Sequence, residues 1–121
     1  MTPTFSAPLR ISSNGRYFVT ADGQPFFWMG DTAWPFFTRY PMQVALDYLA
    51  KRASQGFNVV QGVLAWSAGT GFEEPNPSPN EDGQSAWNDD PAHPNPAFFD
   101  RVEKLLRAAN QHGIILAMLP T

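Results

Sequence analysis

A carboxylate and an indole stand close together near the first strongly apolar run of the sequence. Asp31 and Trp34 belong to the segment Gly30-Asp31-Thr32-Ala33-Trp34, which directly follows the run Pro25-Phe26-Phe27-Trp28-Met29. An aspartate accepts hydrogen bonds from sugar hydroxyls, and an indole stacks on the apolar face of a pyranose or furanose ring. The pattern predicts a sugar-binding site at the carboxyl end of a strand. The structural alternative makes Asp31 a helix cap or Asx turn and Trp34 a core aromatic.

A second candidate pair lies further along the chain. Gln61 interrupts the otherwise apolar run of residues 57–66, and Trp66 ends it. A buried amide needs hydrogen-bond partners, so we expect Gln61 to face the interior of the fold near a binding site. Gln61 and Trp66 are therefore predicted to bind substrate, with simple packing as the alternative.

The residue types and their spacing do not indicate a metal site or a phosphate-binding loop. The sequence has no cysteine, and its two histidines, His93 and His112, do not have the spacing of a metal site. Gly69-Thr70-Gly71 lacks the third glycine and the lysine of phosphate-binding loops. We therefore predict no metal and no cofactor.

Charge and length exclude further classes of partner. Eight Lys and Arg against eleven Asp and Glu give a net charge of −3, with no basic stripe, so nucleic acid and membranes are not expected partners. No apolar run approaches the roughly 18 residues of a membrane span. The first residues lack the regions of a signal peptide, which leaves a cytoplasmic protein or an exported one whose signal has been removed.

The candidate residues need elements to position them, and apolar periodicity predicts these elements. Asn14-Gly15 and Asp22-Gly23 separate three short apolar runs and predict a β-meander over about residues 9–29, whose last strand stops at Gly30-Asp31. Helical stripes and doubly apolar runs follow in alternation. The predicted order is a helix from Pro41 to Gln55, a strand over 57–66, a helix over 96–112 and a strand over 114–119.

An aperiodic stretch separates the second strand from the second helix. Residues 67–96 hold six of the twelve prolines and six acidic residues, with no lysine or arginine. A loop of this length is either functional or a disordered linker. Phe72 and Trp87 favour an ordered, functional loop.

The alternation of strands and helices predicts an α/β fold with a parallel sheet. About three strands and two helices form only part of a (β/α)8 barrel, which needs roughly 250 residues. We therefore interpret residues 1–121 as the N-terminal part of such a barrel, with the meander preceding it. The unpaired edge of the strand over 114–119 predicts self-association.

Several segments resemble one family of enzymes. They are similar to the opening of the apiosidase-like (DUF4038) glycoside hydrolases, and the similarity covers nearly the whole chain. The segments are Asn14-Gly15-Arg16-Tyr17, residues 22–34 including Gly30-Asp31-Thr32-Ala33-Trp34, residues 48–61 including Gln55-Gly56-Phe57-Asn58-Val59-Val60-Gln61, residues 95–100, and residues 113–121.

The resemblance implies a TIM-barrel glycosidase, retaining or inverting, that acts on plant cell-wall glycans. Such barrels carry their two catalytic carboxylates on later strands, past residue 121, so we predict no catalytic residue in this chain and no activity for it alone. The chain would contribute the substrate-binding residues Asp31, Trp34, Gln61 and Trp66. The alternatives are a non-catalytic carbohydrate-binding or structural fragment, and an unrelated small α/β protein.

Overall fold

The computed structural model describes residues 8–65 and 77–120, which form two three-stranded sheets and two helices. An antiparallel sheet comes first along the chain and a parallel sheet follows, with one helix in each crossover. In chain order the elements are β1 (Arg10–Ile11), β2 (Phe18–Val19), β3 (Pro25–Phe26), β4 (Gly30–Thr32), α1 (Met42–Ser54), β5 (Val59–Val63), α2 (Pro96–Gln111) and β6 (Ile115–Leu119).

The antiparallel sheet is the meander that the glycine pairs predict. β2 pairs with β1 on one side and with β3 on the other, and each strand has only two residues. Both connecting turns contain a glycine in the left-handed region, Gly15 at φ 70° and Gly23 at φ 83°. Other residues rarely adopt this conformation, which explains why these two turns are readable in the sequence.

The predicted end of the meander is wrong. The apolar run from Pro25 to Met29 was expected to be one strand that stops at Gly30-Asp31, but it leaves the antiparallel sheet after Phe26. Gly30–Thr32 is a separate strand of the other sheet and pairs with β5 in parallel. A continuous apolar run does not reveal such a change of sheet, because both strands present apolar residues.

One side chain fixes the position of this change of sheet. The Asn58 amide donates to the Phe27 carbonyl at 2.6 Å, and its carbonyl oxygen accepts the Met29 N–H at 2.9 Å. The Asn58 N–H also donates to the Met29 carbonyl at 3.0 Å. Asn58 immediately precedes β5, so it joins the segment after the meander to the start of the parallel sheet.

The parallel sheet has its strands in the order β4-β5-β6. β4 pairs with β5 over three residues and β5 with β6 over five. The two helices contact each other, and α2 also contacts β6. Leu49 of α1 and Leu105 of α2 share one apolar core with Val60 and Leu116 of the sheet, which places both helices on the same face.

The helices begin and end close to where the sequence predicts. Pro41 is the residue before α1, and Gly56 at φ 88° follows its end. Asn95 caps α2, because its side chain accepts the Ala97 N–H at 3.1 Å, and Pro96 occupies the first turn, where its missing N–H is not needed. The apolar stripes of both helices face the core, as their periodicity predicts.

Candidate functional site

The parallel sheet has two faces that differ in what covers them. Side chains alternate along a strand, so the register assigns each residue to a face. The covered face carries Asp31, Val60 and Leu116, which lie at one level and point towards the helices. On the open face, no helix of the described chain packs. The open face is formed by Gly30, Thr32, Val59, Gln61, Val63, Ile115, Ala117 and Leu119.

An indole closes the amino end of the open face. A Cβ placed on Gly30 would lie 3.1 Å from Nε1 of Trp28 and 3.8 Å from Cβ of Val59. Trp28 therefore lies against the first level of this face and takes the space that a side chain at position 30 would fill. The next level, towards the carboxyl end, is the one that contains Gln61.

Gln61 has a polar neighbour at its own level. Thr32 of β4 pairs with Gln61 of β5, and Ala117 of β6 lies on the other side. Thr32 is exposed and Gln61 half-buried. Sequence reasoning missed Thr32, although its place two residues after Gly30 in a period-two strand would have indicated the shared face once the start of β4 was known.

Trp34 lies just beyond the carboxyl end of β4 and is 43% exposed. Its carbonyl accepts the N–H of Val63 at 3.1 Å, while the Ala33 N–H donates to the Gln61 carbonyl at 2.8 Å. The chain passes so close to β5 here that a Cβ on Gly62 would lie 2.9 Å from the Ala33 carbonyl oxygen. The glycine therefore permits the backbone contact that holds Trp34 beside the sheet.

Asp31 projects from the opposite face and is engaged by α1. Its Oδ2 accepts a hydrogen bond from the Tyr48 hydroxyl at 2.7 Å and another from Nε of Arg52, and its Oδ1 accepts the Thr32 N–H at 3.0 Å. The Arg52 guanidinium also lies 5.0 Å from the ring centre of Tyr48 and 5.5 Å from that of Phe57. The carboxylate therefore ties β4 to the helix that follows it.

These contacts shift the acidity of the groups involved. The hydrogen bond from Tyr48 is the main cause that lowers the pKa of Asp31, and Arg52 adds to it. Burial, together with the hydrogen bond to Asp31, raises the pKa of Tyr48 to about 12. At neutral pH Asp31 is thus held as a carboxylate beside a protonated phenol.

The structure brings some of the predicted residues together and separates others. Gln61 lies on the open face and Trp34 at the carboxyl edge of the sheet, whereas Asp31 lies on the covered face and not beside Gln61. Trp66 lies outside the described residues. The substrate-binding roles of all four stay predictions. Tyr48 and Arg52 were missed in the sequence analysis. Their spacing of four residues beside the buried stripe of α1 indicates that the two side chains are neighbours and can bind the same group.

The described part of the long loop is joined to α2 by an ion pair. Arg101 of α2, 4% exposed, donates to the Asp82 carboxylate at 2.9 Å and to the Tyr40 carbonyl. Asp90 is within 2.7 Å of the His93 ring. Residues 77–95 hold neither a helix nor a strand, in agreement with their lack of periodicity. The acids Glu73 and Glu74 lie outside the described residues.

Two further features of the described chain bear on the predicted partners. No group of three or more histidine, aspartate or glutamate side chains within residues 8–65 and 77–120 is arranged to hold a metal ion. Neither of the two helices in these ranges is long and apolar enough to cross a membrane.

Comparison with solved structures finds glycoside hydrolases. A glycoside hydrolase family 5 protein from Bacteroides vulgatus is 26% identical with a TM-score of 0.76, over 92% of this chain and 23% of that one. Another protein described as a glycoside hydrolase is 26% identical with a TM-score of 0.74, over 92% of this chain and 24% of its own. This chain therefore spans about a quarter of their length.

A more distant likeness extends to the fold alone. A mutant of a glycoside hydrolase family 5 mannosidase from Rhizomucor miehei has a TM-score of 0.63 at 16% identity, over 91% of this chain and 26% of that one. Among curated proteins there is no match.

The family comparison covers far more of the sequence than any motif. Residues 12–121 match the model of the apiosidase-like catalytic domain, a range that contains both the open face and the Asp31 contacts. The resemblance seen in the sequence is thereby confirmed. This chain belongs to the family of apiosidase-like catalytic domains.

Proposed function

We propose that this chain is the N-terminal part of a (β/α)8 glycoside hydrolase that acts on side chains of plant cell-wall glycans. In this proposal residues 1–121 form one part of the barrel domain, with the meander over about 9–29 before the first barrel strand. The open face is the inner wall of the barrel. Its carboxyl end, where Trp34 lies, is the end at which such barrels bind substrate.

The observation that carries the proposal is the winding of the parallel sheet. Its three strands are neighbours in chain order, and both helices lie on one face. A doubly wound sheet instead has helices on both faces and a reversal of strand order. Consecutive strands with one bare face are what a barrel requires, because the bare face becomes its interior.

In this proposal residues 1–121 contribute substrate-binding residues, and the two catalytic carboxylates come from later strands of the barrel. In this proposal the contacts with a sugar come from Gln61 on the open face, the exposed Trp34, and Trp66, which follows β5 in the sequence. Asp31 was predicted to join them. Its three hydrogen bonds favour a structural role, although not the cap or Asx turn named in the sequence analysis: Asp31 anchors α1 to β4 through Tyr48 and Arg52. The two catalytic carboxylates belong to later strands.

Hydrolysis assays test this function directly. We would assay the 121-residue chain and a protein that continues it with further βα units on 4-nitrophenyl β-D-apiofuranoside, 4-nitrophenyl mannosides and pectic polysaccharide. The longer protein should release sugar and the 121-residue chain should not, because only the former contains two catalytic carboxyls. Turnover by the shorter chain that is abolished by Glu73→Gln or Glu74→Gln would show that the long loop performs the chemistry and would overturn this proposal.

A non-catalytic role is the second candidate. Among the described residues no carboxylate lies on the open face, which favours sugar binding without bond cleavage for this chain on its own. Sugar binding by both proteins with hydrolysis by neither would support this role over that of an enzyme.

A further inference from the structure

Two polar side chains lie next to each other on the open face without a partner from the chain. Thr32 and Gln61 occupy paired positions of β4 and β5, so their side chains project in the same direction at the same level. Among residues 8–65 and 77–120, neither the Thr32 hydroxyl nor the Gln61 amide has a hydrogen-bond partner. Thr32 is exposed and Gln61 half-buried, so the hydrogen-bonding groups of both side chains are free to bind a ligand that lies against this face.

The surroundings of this pair leave room and carry no charge. Ala117, the neighbour of Gln61 on β6, contributes only a methyl group. Apolar residues, Val59 and Val63, stand below and above Gln61 along β5. The described charges nearest to β4, those of Asp31 and Arg52, lie on the covered face and neutralise each other. A neutral polar ligand therefore fits here better than a phosphate or a carboxylate.

The two side chains are also complementary to a particular arrangement of hydroxyls. A threonine hydroxyl and a glutamine amide can each donate and accept, as a sugar hydroxyl does. Adjacent strands lie about 4.8 Å apart, so the ends of two side chains on paired positions can converge on neighbouring atoms of one ring. Trp28 closes the amino end of this face, so a ligand reaches the pair from the carboxyl end, past Trp34.

We propose that Thr32 and Gln61 together bind two adjacent hydroxyl groups of a single sugar ring. The proposal rests on the proposed function for the kind of ligand. It adds Thr32 to the binding residues and assigns the pair to vicinal hydroxyls. Both substitutions that remove a hydrogen-bonding group can be made almost without a change of shape, by Thr32→Val and Gln61→Met.

The test uses the longer, active protein and compares these variants with two controls. With 4-nitrophenyl β-D-apiofuranoside and 4-nitrophenyl mannosides, Thr32→Val and Gln61→Met should each lower kcat/KM by about 3- to 10-fold, the loss of one hydrogen bond, mainly through KM. The double variant should lose less than the product of the two, because both groups hold the same ring. Thr32→Ser, which keeps the hydroxyl, should retain more of the native kcat/KM than Thr32→Val does. Gln111→Met, the same change as Gln61→Met at an exposed position of α2, should stay within about twofold of the native protein.

Direct binding separates this proposal from the function on which it rests. Saturation-transfer NMR with free D-apiose and D-mannose reports contact whether or not the protein hydrolyses anything. If Thr32→Val and Gln61→Met hydrolyse the substrates with unchanged kinetics, the binding role of Thr32 and Gln61 is rejected and the glycoside hydrolase function is retained. Sugar contact that both variants weaken, without hydrolysis, would support the pair and reject the enzyme. No contact with either sugar would overturn the pair.

Discussion

The Tyr48 hydroxyl donates a 2.7 Å hydrogen bond to Oδ2 of Asp31, so a helix residue and a strand residue 17 positions apart hold each other in place. Arg52, one turn further along α1, binds the same oxygen. The sequence predicts that this carboxylate binds a sugar. In the structure its hydrogen-bond partners in α1 are Tyr48 and Arg52.

Asp31→Ala and Tyr48→Phe should each lower the free energy of unfolding by about 1–3 kcal/mol, because each leaves a half-buried polar group without its partner. In a double-mutant cycle the two changes should be coupled by about 0.5–3 kcal/mol, since they remove the same interaction. Urea unfolding of the four proteins measures both quantities. Additive effects would mean that the pair does not stabilise the fold.

Asp31→Ala in the active protein separates anchoring from sugar binding. Loss of a sugar-binding carboxylate predicts a 10- to 150-fold drop in kcat/KM with the stability retained, at about 1.5–3 kcal/mol per charged hydrogen bond. The contacts with α1 lead us to expect the opposite, a lower melting temperature with kcat/KM within about threefold. Measuring both on the one variant decides between the two roles.

The lowered pKa of Asp31 predicts an acid-sensitive component of stability. Tyr48 and Arg52 favour the carboxylate in the folded protein, so the unfolded chain binds the proton more readily. This stability is present above the ordinary aspartate pKa of about 3.9 and is lost as the pH falls through the lower, folded pKa. Between pH 6 and pH 2.5 the free energy of unfolding should therefore fall more steeply for the native protein than for Asp31→Asn, and parallel curves would contradict this.

Asn58 should be intolerant of the replacement of its side-chain NH2 group by an oxygen. Asn58→Asp keeps the oxygen that accepts the Met29 N–H but places a second oxygen against the Phe27 carbonyl, 2.6 Å away in the native protein. We expect a loss of more than about 2 kcal/mol in urea unfolding, because a donor is replaced by a charged acceptor. Asn88→Asp, the same change at an exposed loop position, is the control and should be within about 0.5 kcal/mol of the native protein.

The outer edge of β6 is the surface for which self-association is predicted. Ile115 donates to Asn58 and Leu119 accepts from Leu64, so alternate residues face β5 and the N–H groups of Leu116 and Met118 face outward. Met118→Pro removes one outward donor without touching the pairing with β5. Sedimentation velocity should find the 121-residue chain associated and the variant less so. A native chain that is monomeric at all concentrations would rule this out.

Local signals in the sequence predicted most of the elements. Gly15, Gly23 and Gly56 have positive φ, and Asn95 caps a helix, so each leaves a mark at its own position. The break after Phe26 left no such mark, because Asn58, 29 to 31 residues away, creates it through hydrogen bonds. Asn58 meets Phe27 and Met29 only in the folded protein, so no local sequence pattern indicates the break.

The site was less predictable than the fold for a related reason. A shift of one residue in register moves a side chain to the other face of a sheet, so placing the start of β4 correctly decides whether Asp31 or Thr32 lies on the open face. The sequence favoured the charged residue, and the register gives the open face to its neutral neighbour. Gln61, the single polar residue of β5, lies on the open face, and its role in substrate binding stays a prediction.

Gly62 offers a way to interpret other sequences of this kind. Position 62 requires a glycine, because a Cβ there would lie 2.9 Å from the Ala33 carbonyl oxygen of the neighbouring chain segment. A larger residue at this position would force the chain after β4 away from β5, and Trp34 would move with it. In a relative whose sequence lacks this glycine, the aromatic residue that corresponds to Trp34 should therefore lie in a different position, however similar the surrounding motif.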